Sequence, residues 1–326
     1  MKAKFFDKTA SWKTGVIKTN QMQDSNKILI TGGSGLIGQE LSKKLLQKGY
    51  EVAVLSRNKK TDAGIKTYQW DPLNNEIEKE AIETAGYIIH LAGANLSDKR
   101  WTGKRKQIIV DSRVKSADLL FDKVMESNNT IKAFISASAI NYYGTVTSDK
   151  IFSENDTPGD DFLGETCRKW EKSANRFSDQ GIRTVIIRTG VVLSGRGGAL
   201  KKMETPVKLG IGSPIGSGRQ YLPWIHLDDI CNIYIKAIED KNMHGAFNAV
   251  APDIPTNGEF MKTLARAYKK PFWAPAVPAP LMKLLFGEMS SVLLEGSRVS
   301  TEKISESGFE FRFPELENAL SDLISK

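Results

Sequence analysis

The chain has 326 residues, 40% of them hydrophobic, so it is long enough to bury one large α/β core with a smaller companion region. No apolar run approaches the length of a membrane span, and two cysteines without metal-binding spacing predict no metal site and a reducing, cytoplasmic setting. The net charge is +8, but residues 1–27 hold six lysines against two aspartates, and the remaining excess is too dispersed to predict nucleic-acid binding.

The first predicted elements form a β-α-β crossover behind an N-terminal extension at residues 1–26. The extension has no apolar signal-peptide core, and we expect it to be flexible. KILIT, at residues 27–31, is a short apolar run without alternation, which predicts a strand buried on both faces. LIGQELSKKLLQKGY carries leucine and isoleucine at helical intervals, and EVAVLS at residues 51–56 predicts the second strand.

Glycines at G-x-x-G-x-x-G spacing join the first strand to the helix and indicate a dinucleotide site. Glycine allows a tight turn that approaches a pyrophosphate closely, and the helix N-terminus offers unpaired N–H groups. The residues predicted to contact a cofactor here are Gly32, Gly35, Leu36, Ile37 and Gly38. The alternative is a glycine turn that binds no ligand.

The end of the second strand favours NADP over NAD. An NAD site normally places an acidic residue there, which binds the ribose 2′-hydroxyl. This chain has Ser56 and Arg57, followed by Lys59 and Lys60. A hydroxyl and a guanidinium can bind a 2′-phosphate that a carboxylate would repel. The alternative is that these cations form a solvated turn.

Strand and helix candidates then alternate along the chain. Strands are predicted at residues 87–94, 133–140 and 183–193, and helices through RVKSADLLFDKVMES and GETCRKWEKSANRFSDQ. This alternation is typical of an α/β fold with a doubly wound parallel sheet of the Rossmann type. We therefore divide the chain into an NADP-binding domain at residues 27–193, a mixed segment at 194–270 and a small C-terminal helical cap at 271–326. The mixed segment contains a helix, a strand (GAFNAVAP) that returns to the sheet, and a glycine-rich stretch that is either a mobile loop or a solvated connection.

With these elements in place, the sequence resembles the extended short-chain dehydrogenases/reductases, and more narrowly their "epimerase family" branch. The matching segments are TGGSGLIG, HLAGANL, SRVKSADLL, SASAINYYG, GDDFLGETCRKWE, RTGVVLSGRGGAL, GSGRQYLPWIHLDD, FNAVAP and LLEGSRV. The resemblance implies a small C-terminal domain and an NADP-binding protein. It implies these cofactor contacts: Ser56 and Arg57 at the 2′-phosphate, Asp71 near adenine, Leu91, Ala92 and Gly93 along the cofactor, Arg113 at the pyrophosphate, and Val192 near the nicotinamide.

The resemblance breaks down at the catalytic pair. Hydride-transferring members usually use Tyr-x-x-x-Lys, in which the tyrosine exchanges a proton with the substrate oxygen. None of the eight tyrosines is followed by lysine at that spacing, and alignment on the CRKWE segment puts Leu163 and Cys167 at the two positions. Ser138, Tyr142 and Tyr143 are the predicted catalytic substitutes. The alternative is that the tyrosines only pack and hydrogen-bond.

The sequence contains two further residues with polar side chains that could belong to a site. Arg219 follows a glycine-rich stretch and is a candidate substrate contact, with a surface ion pair as its alternative. His226 is expected to be structural, with Asp228 or Asp229 capping the helix that follows.

The leading hypothesis is an NADP-dependent oxidoreductase or epimerase-like protein that acts on a small carbonyl, an alcohol or a nucleotide sugar. The main rival is a non-catalytic NADP(H)-binding redox sensor that engages a partner. The sequence leaves a homodimer open and indicates no nucleic-acid or membrane partner. A sugar-nucleotide epimerase proper is less favoured, because such enzymes also normally rely on the tyrosine.

Overall fold

A computed structural model of the chain describes residues 26–58 and 64–325. The predicted N-terminal extension therefore lies outside the described residues up to position 25, as do Lys59 and Lys60. The strands are β1 (Lys27–Thr31), β2 (Glu51–Ser56), β3 (Lys66–Asp71), β4 (Glu76–Ile77), β5 (Tyr87–His90), β6 (Ala133–Ala139), β7 (Ile151–Phe152), β8 (Thr184–Thr189), β9 (Val191–Leu193), β10 (Trp224–His226), β11 (Gly245–Ala249) and β12 (Arg298–Val299). The helices are α1 (Leu36–Gln47), α2 (Lys79–Glu83), α3 (Gly103–Glu126), α4 (Phe162–Asp179), α5 (Ala199–Lys208), α6 (Leu227–Glu239), α7 (Asn257–Ala267), α8 (Ala279–Phe286), α9 (Ser291–Leu294), α10 (Glu302–Glu306) and α11 (Leu316–Ser325). Short 3₁₀ turns occupy Ile140–Tyr143 and Gly287–Ser290.

The main sheet has the order β11-β8-β6-β5-β1-β2-β3-β4 and is parallel except for β4, which pairs antiparallel with β3. From β1 the chain builds outward through β2 and β3, and it then returns to lay β5 on the other side of β1. A crevice opens at such a reversal of strand order, beyond the carboxyl ends of the strands. The sheet confirms the predicted doubly wound α/β fold.

Helices cover both faces of the sheet, which explains the unbroken apolar run of β1. Ile28 and Ile30 are fully buried in the core that includes α1 and α6. Leu29, between them, is fully buried in the core that includes α2, α3 and α4. A strand covered on both faces needs apolar residues at consecutive positions, as the sequence predicted.

The predicted strand at residues 183–193 is two strands. β8 belongs to the main sheet, whereas β9 leaves it and pairs in parallel with β10. Gly190 separates them, and a Cβ there would lie 2.8 Å from the carbonyl oxygen of Pro223. The close backbone approach at this glycine lets the chain change sheets. The prediction of one continuous strand was wrong for this reason.

The glycine-rich stretch is more ordered than the two alternatives that the sequence left open. It contains α5, which begins after Gly198, a residue at φ 79°. Leu200 and Val207 are buried in a core shared with α7 and α11. This tertiary burial outweighs the poor helix propensity of a segment that contains Pro206.

The C-terminal region covers two different surfaces. Residues near the 3₁₀ turn at 287–290 pack beside α3 and α4, where Met289 joins Trp101 and Leu163 in one apolar cluster. The last helix, α11, instead packs beside α7 through Leu316 and Leu320. A cleft adjoins each of these surfaces, and Leu163 and Trp101 line the one beside the first.

Candidate functional site

The glycine turn after β1 is shaped by contacts that leave no room for side chains. Gly32 has φ 70°, and a Cβ there would lie 2.9 Å from the carbonyl group of Leu91. A Cβ on Gly38 would lie 2.4 Å from the Gly32 carbonyl oxygen and 2.7 Å from Cα of Gly33. Gly35 forms the N-cap of α1 and provides no side-chain cap. Leu36 and Ile37 are the first two residues of α1. No side chain at the N-cap position accepts a hydrogen bond from the N–H groups of this first turn.

A buried hydroxyl ties the glycine turn to the end of β5. Thr31 Oγ1 accepts the N–H groups of Leu91 and Ala92 at 3.1 and 3.0 Å. It also contacts His90 Nδ1 at 2.8 Å. Burial lowers the pKa of His90 to about 4, so the ring is neutral and Nδ1 can accept the hydroxyl proton. Because these N–H groups bond to a side chain, the predicted strand at 87–94 ends at His90.

The tips of β2 and β3 lie side by side at the same edge of the sheet, as their parallel pairing requires. Ser56 Oγ accepts the N–H of Asn58 at 3.3 Å, and the Arg57 side chain is exposed. The pKa of Asp71 is lowered, mainly because its carboxylate accepts a hydrogen bond from the N–H of Leu73. The positive charge of Arg57 lowers it further. The predicted 2′-phosphate contacts and Asp71 are therefore neighbours, and Asp71 already accepts hydrogen bonds within its own turn.

Arg113 projects from α3 toward the loop after β5. A Cβ on Gly93 would lie 3.0 Å from the guanidinium carbon of Arg113. The same carbon lies 5.2 Å from the centroid of the Trp170 ring. Its hydrogen bonds go to the Ile109 carbonyl at 2.9 Å and to Ser112 Oγ at 3.5 Å. Within the part of the chain that the structure describes, no carboxylate forms an ion pair with Arg113. A cation in this environment suits an anionic or strongly accepting ligand.

The loop after β9 folds back onto α1. A Cβ on Gly198 would lie 3.3 Å from the Leu36 side chain and 3.8 Å from the Val192 carbonyl oxygen. Arg196 in the same loop forms an ion pair with Glu40 of α1 at 2.5 Å. The structure thus brings Val192, predicted for the nicotinamide end, close to the first residue of α1.

The residues that the sequence predicted to contact a cofactor lie near the carboxyl edge of the sheet, at the reversal of strand order, and we call this region the groove. Its glycine turn excludes side chains, and its helix N-terminus has no side-chain cap. Arg57 follows β2 on one side of β1, and Arg113 lies beside Gly93, after β5, on the other. These features fit an extended ligand with phosphate groups, which is what a dinucleotide would require. Thr31 and His90 were not predicted, because nothing in the local sequence marks their contact across 59 positions.

Beyond the groove, Ser138 belongs to a buried polar network. Ser138 donates to Glu171 at 2.6 Å, and Arg188 binds both carboxylate oxygens of Glu171 at 2.9 and 2.8 Å. Arg188 also donates to the Tyr143 hydroxyl at 2.9 Å, and that hydroxyl donates to Asn248 at 2.8 Å. Both hydrogen-bonding directions of the Tyr143 hydroxyl are therefore taken by protein groups, and its side chain is buried.

The groups available for proton transfer have high pKa values. Burial raises the pKa of Tyr143 to about 12 and that of Cys167 to about 12. Burial also raises the pKa of Tyr142, whose ring lies 3.5 Å below the Arg188 guanidinium. Tyr142 is the more exposed of the two tyrosines. Cys167 is buried and forms no disulfide.

A cleft of about 590 Å³ lies between α4 and the C-terminal region. Leu163, at the position where the sequence pattern would place tyrosine, lines it beside Trp101. The full lining is Trp101, Lys106, Thr145, Asp161, Phe162, Leu163, Lys283, Gly287, Glu288, Ser290, Ser291, Leu294 and Glu295. The cleft combines an apolar wall with cations, carboxylates and hydroxyls, so it can take a polar small molecule with one less polar face.

Arg219 and His226 are not among the residues that line the cleft. Arg219 is exposed in the turn before β10. His226 caps α6, because its Nδ1 accepts the N–H of Asp228 at 3.0 Å. The predicted cap by an aspartate was wrong: Asp229 instead accepts the N–H of Arg312 at 2.9 Å and that of the next residue. In the described ranges, no cluster of three His, Cys, Asp or Glu side chains forms a metal site, and no helix has the length and apolarity to cross a bilayer.

Comparison with known proteins gives two family matches. Residues 28–249 match the NAD dependent epimerase/dehydratase family, and residues 277–323 match a domain of unknown function, DUF1731. An epimerase family protein of Staphylococcus epidermidis is 37% identical over 302 residues, which cover 91% of this chain and 99% of that protein. The mouse epimerase family protein SDR39U1 is 34% identical over 304 residues, which cover 92% of this chain and 100% of that protein.

A solved structure supports the same comparison. The crystal structure of human epimerase family protein SDR39U1 (isoform 2) with NADPH has a TM-score of 0.82 to this fold at 32% identity. The match covers 92% of this chain and 99% of the human one.

Proposed function

The chain belongs to the NAD dependent epimerase/dehydratase family, and we propose that it binds NADP(H) in the groove and transfers hydride to or from a small substrate in the cleft. The observation that carries the proposal is the glycine turn, where Gly32 and Gly38 leave no space for a Cβ beside the uncapped start of α1. Such a turn presents backbone N–H groups to a pyrophosphate.

NADP(H) rather than NAD(H) is proposed because β2 ends in Ser56 and Arg57 without a carboxylate. The exposed guanidinium is free to turn toward a 2′-phosphate and bind it with two hydrogen bonds. NADPH in the human relative supports this assignment. Both cysteines are free and buried, which supports a cytoplasmic location.

The bound nicotinamide would supply or accept the hydride. Ser138 directs its proton to Glu171, so its oxygen lone pairs are left to accept from a substrate hydroxyl. Of the two candidate tyrosines, Tyr143 is buried and bonds both Arg188 and Asn248, whereas Tyr142 is the more exposed. We propose Tyr142 as the proton carrier and Tyr143 as a positioning residue for Arg188.

The substrate class is a small carbonyl or alcohol, or a nucleotide sugar. The cleft volume of about 590 Å³ admits either class, and Lys106 and Lys283 could bind a phosphate or carboxylate on the larger ones. Arg219 remains a proposed contact for a substrate that extends beyond the cleft.

Turnover tests the proposal directly. We expect the purified protein to oxidise NADPH with members of a carbonyl panel that includes nucleotide-activated keto-sugars. Tyr142→Phe should abolish that activity while leaving NADPH affinity unchanged. Tyr50→Phe is the control, because Tyr50 precedes β2 at the opposite edge of the sheet. Tight NADPH binding with no turnover on the whole panel would refute the enzymatic assignment.

One observation favours the second candidate, a redox sensor that holds NADP(H) without chemistry. Tyr142, Tyr143 and Cys167 all have raised pKa values, so none of them exchanges protons readily near neutral pH. Replacing Ser138, Tyr142 and Tyr143 together separates the candidates. An enzyme would lose activity, whereas a sensor would still bind the cofactor and respond to its oxidation state.

A further inference from the structure

The position of the absent catalytic lysine lies beside a cation from another helix. Cys167 occupies that position on α4, and one turn later Trp170 packs its ring 5.2 Å from the Arg113 guanidinium carbon. Arg113 also acts electrostatically on the Cys167 thiol, against the burial that raises its pKa. The guanidinium thus reaches the region of α4 from α3.

Arg188 and Arg113 both approach the segment of α4 around Trp170, and they differ in how their charge is balanced. Arg188 is neutralised by Glu171, with both side chains less than a tenth exposed. Arg113 bonds to a main-chain carbonyl and a serine hydroxyl, and no acidic residue in the described ranges pairs with it. Burial lowers the pKa of Arg113, because it disfavours the charged form of the guanidinium. Arg113 is therefore the guanidinium with donors left for a ligand.

The place of Arg113 in the fold indicates which part of a ligand it can reach. The glycine turn and the β2 tip lie on the β1–β3 side of the crevice, where the adenosine half of a dinucleotide binds. Gly93, against which the guanidinium packs, follows β5 on the other side of the crevice. The second half of the dinucleotide occupies that side.

We infer, resting on the proposed binding of NADP(H), that Arg113 replaces the missing lysine and donates hydrogen bonds to the ribose hydroxyls next to the nicotinamide. This assignment differs from the pyrophosphate contact that the family resemblance implied. It also explains why a thiol is compatible with position 167: a lysine there would place a second buried cation beside Arg113.

Truncated ligands test the inference. Calorimetry on the wild type, Arg113→Met and Arg113→Lys would use three probes: adenosine 2′-phosphate 5′-diphosphate, 2′-phospho-ADP-ribose and NADPH. Arg113→Met should weaken binding of the two probes that carry the second ribose roughly tenfold or more, and leave the first within about twofold. Arg113→Lys should recover part of the loss. Lys115→Met, on the exposed side of α3, is the matched control.

The outcomes separate the inference from the proposed function. A wild type that binds none of the probes overturns both. A wild type that binds NADPH supports the proposed function. If Arg113→Met then weakens all three probes equally, Arg113 holds the pyrophosphate and the ribose assignment is wrong. If it weakens none, the residue has no cofactor contact.

A charge exchange gives a second readout that does not depend on activity. Cys167→Lys should lower the thermal unfolding midpoint strongly in the wild type and less in the Arg113→Met background. The double variant should also recover affinity for 2′-phospho-ADP-ribose relative to Arg113→Met alone. If Cys167→Lys lowers the unfolding midpoint equally in both backgrounds, a lysine at position 167 does not lie beside the Arg113 charge and the inference is contradicted.

Discussion

Glu171→Gln should destabilise the protein strongly, because Glu171 balances the buried charge of Arg188. Glu171 and Arg188 side chains are 8% and 4% exposed, and the carboxylate accepts two hydrogen bonds from the guanidinium at 2.9 and 2.8 Å. The Glu171 carboxylate also accepts a hydrogen bond from the Ser138 hydroxyl. Glutamine keeps one acceptor but turns an N–H₂ group toward the Arg188 donors, so the buried cation loses its counter-charge.

Breaking a buried ion pair by removing one partner costs about 3–5 kcal/mol, because the other charge stays buried without compensation. Urea unfolding followed by circular dichroism should therefore show a midpoint well below that of the wild type. Replacing both partners, as in Glu171→Met with Arg188→Met, should cost less than Glu171→Gln alone, since no charge is then left behind.

Glu165→Gln is the matched control on the same helix. Glu165 pairs with Arg168 at 2.6 Å, but the two side chains are 40% and 49% exposed. Solvent screens this pair, so its loss should change the unfolding free energy by only a small fraction of the Glu171 effect. Equal unfolding midpoints for the two variants would refute the argument that Glu171 holds the Arg188 charge.

Two further predictions concern the glycine turn and its support. Gly38→Ala should cost roughly 1–3 kcal/mol and weaken NADPH binding, because its Cβ would overlap the Gly32 carbonyl, whereas Gly103→Ala, with no atom within 4 Å of the new Cβ, should do neither. His90 should make stability pH-dependent. The pKa of His90 is about 4 in the folded protein, below its ordinary value of 6.5. The contribution of the neutral ring to the free energy of unfolding is therefore complete above pH 6.5 and is lost as the pH falls toward 4. The loss amounts to about 3 kcal/mol, and His90→Asn should remove that part of the slope between urea midpoints at pH 7 and pH 4. Wild-type stability and NADPH affinity in Gly38→Ala would contradict the steric argument. A wild-type pH dependence of stability in His90→Asn would contradict the argument from the His90 pKa.

The position of the proposed cofactor groove in the fold was predictable because its signals are local. The glycine spacing, the apolar strand before it and the Ser56-Arg57 pair lie within about thirty residues, and each has a physical reason to recur in a dinucleotide site. The structure places these segments at one edge of the sheet as the β-α-β pattern requires. The alternation of the later strands and helices likewise predicted the doubly wound sheet.

The region beyond the groove could not be predicted, since its contacts depend on sheet order and helix packing. Glu171 and Arg188 belong to α4 and β8, and nothing in their local sequence marks them as a pair. Arg113 meets Trp170 only because α3 packs on α4. Helix α5 was missed because glycine and proline obscure a helix that tertiary burial stabilises.

The central claim is that the first crossover holds a 2′-phosphorylated dinucleotide through its glycine turn and Arg57. Titration calorimetry of NADPH and NADH into the wild type and Arg57→Ala measures this most directly. The wild type should bind NADPH roughly tenfold or more tightly than NADH, and Arg57→Ala should remove that preference while NADH affinity stays the same. No heat of binding from either dinucleotide, or a preference for NADPH that survives Arg57→Ala, would contradict the claim.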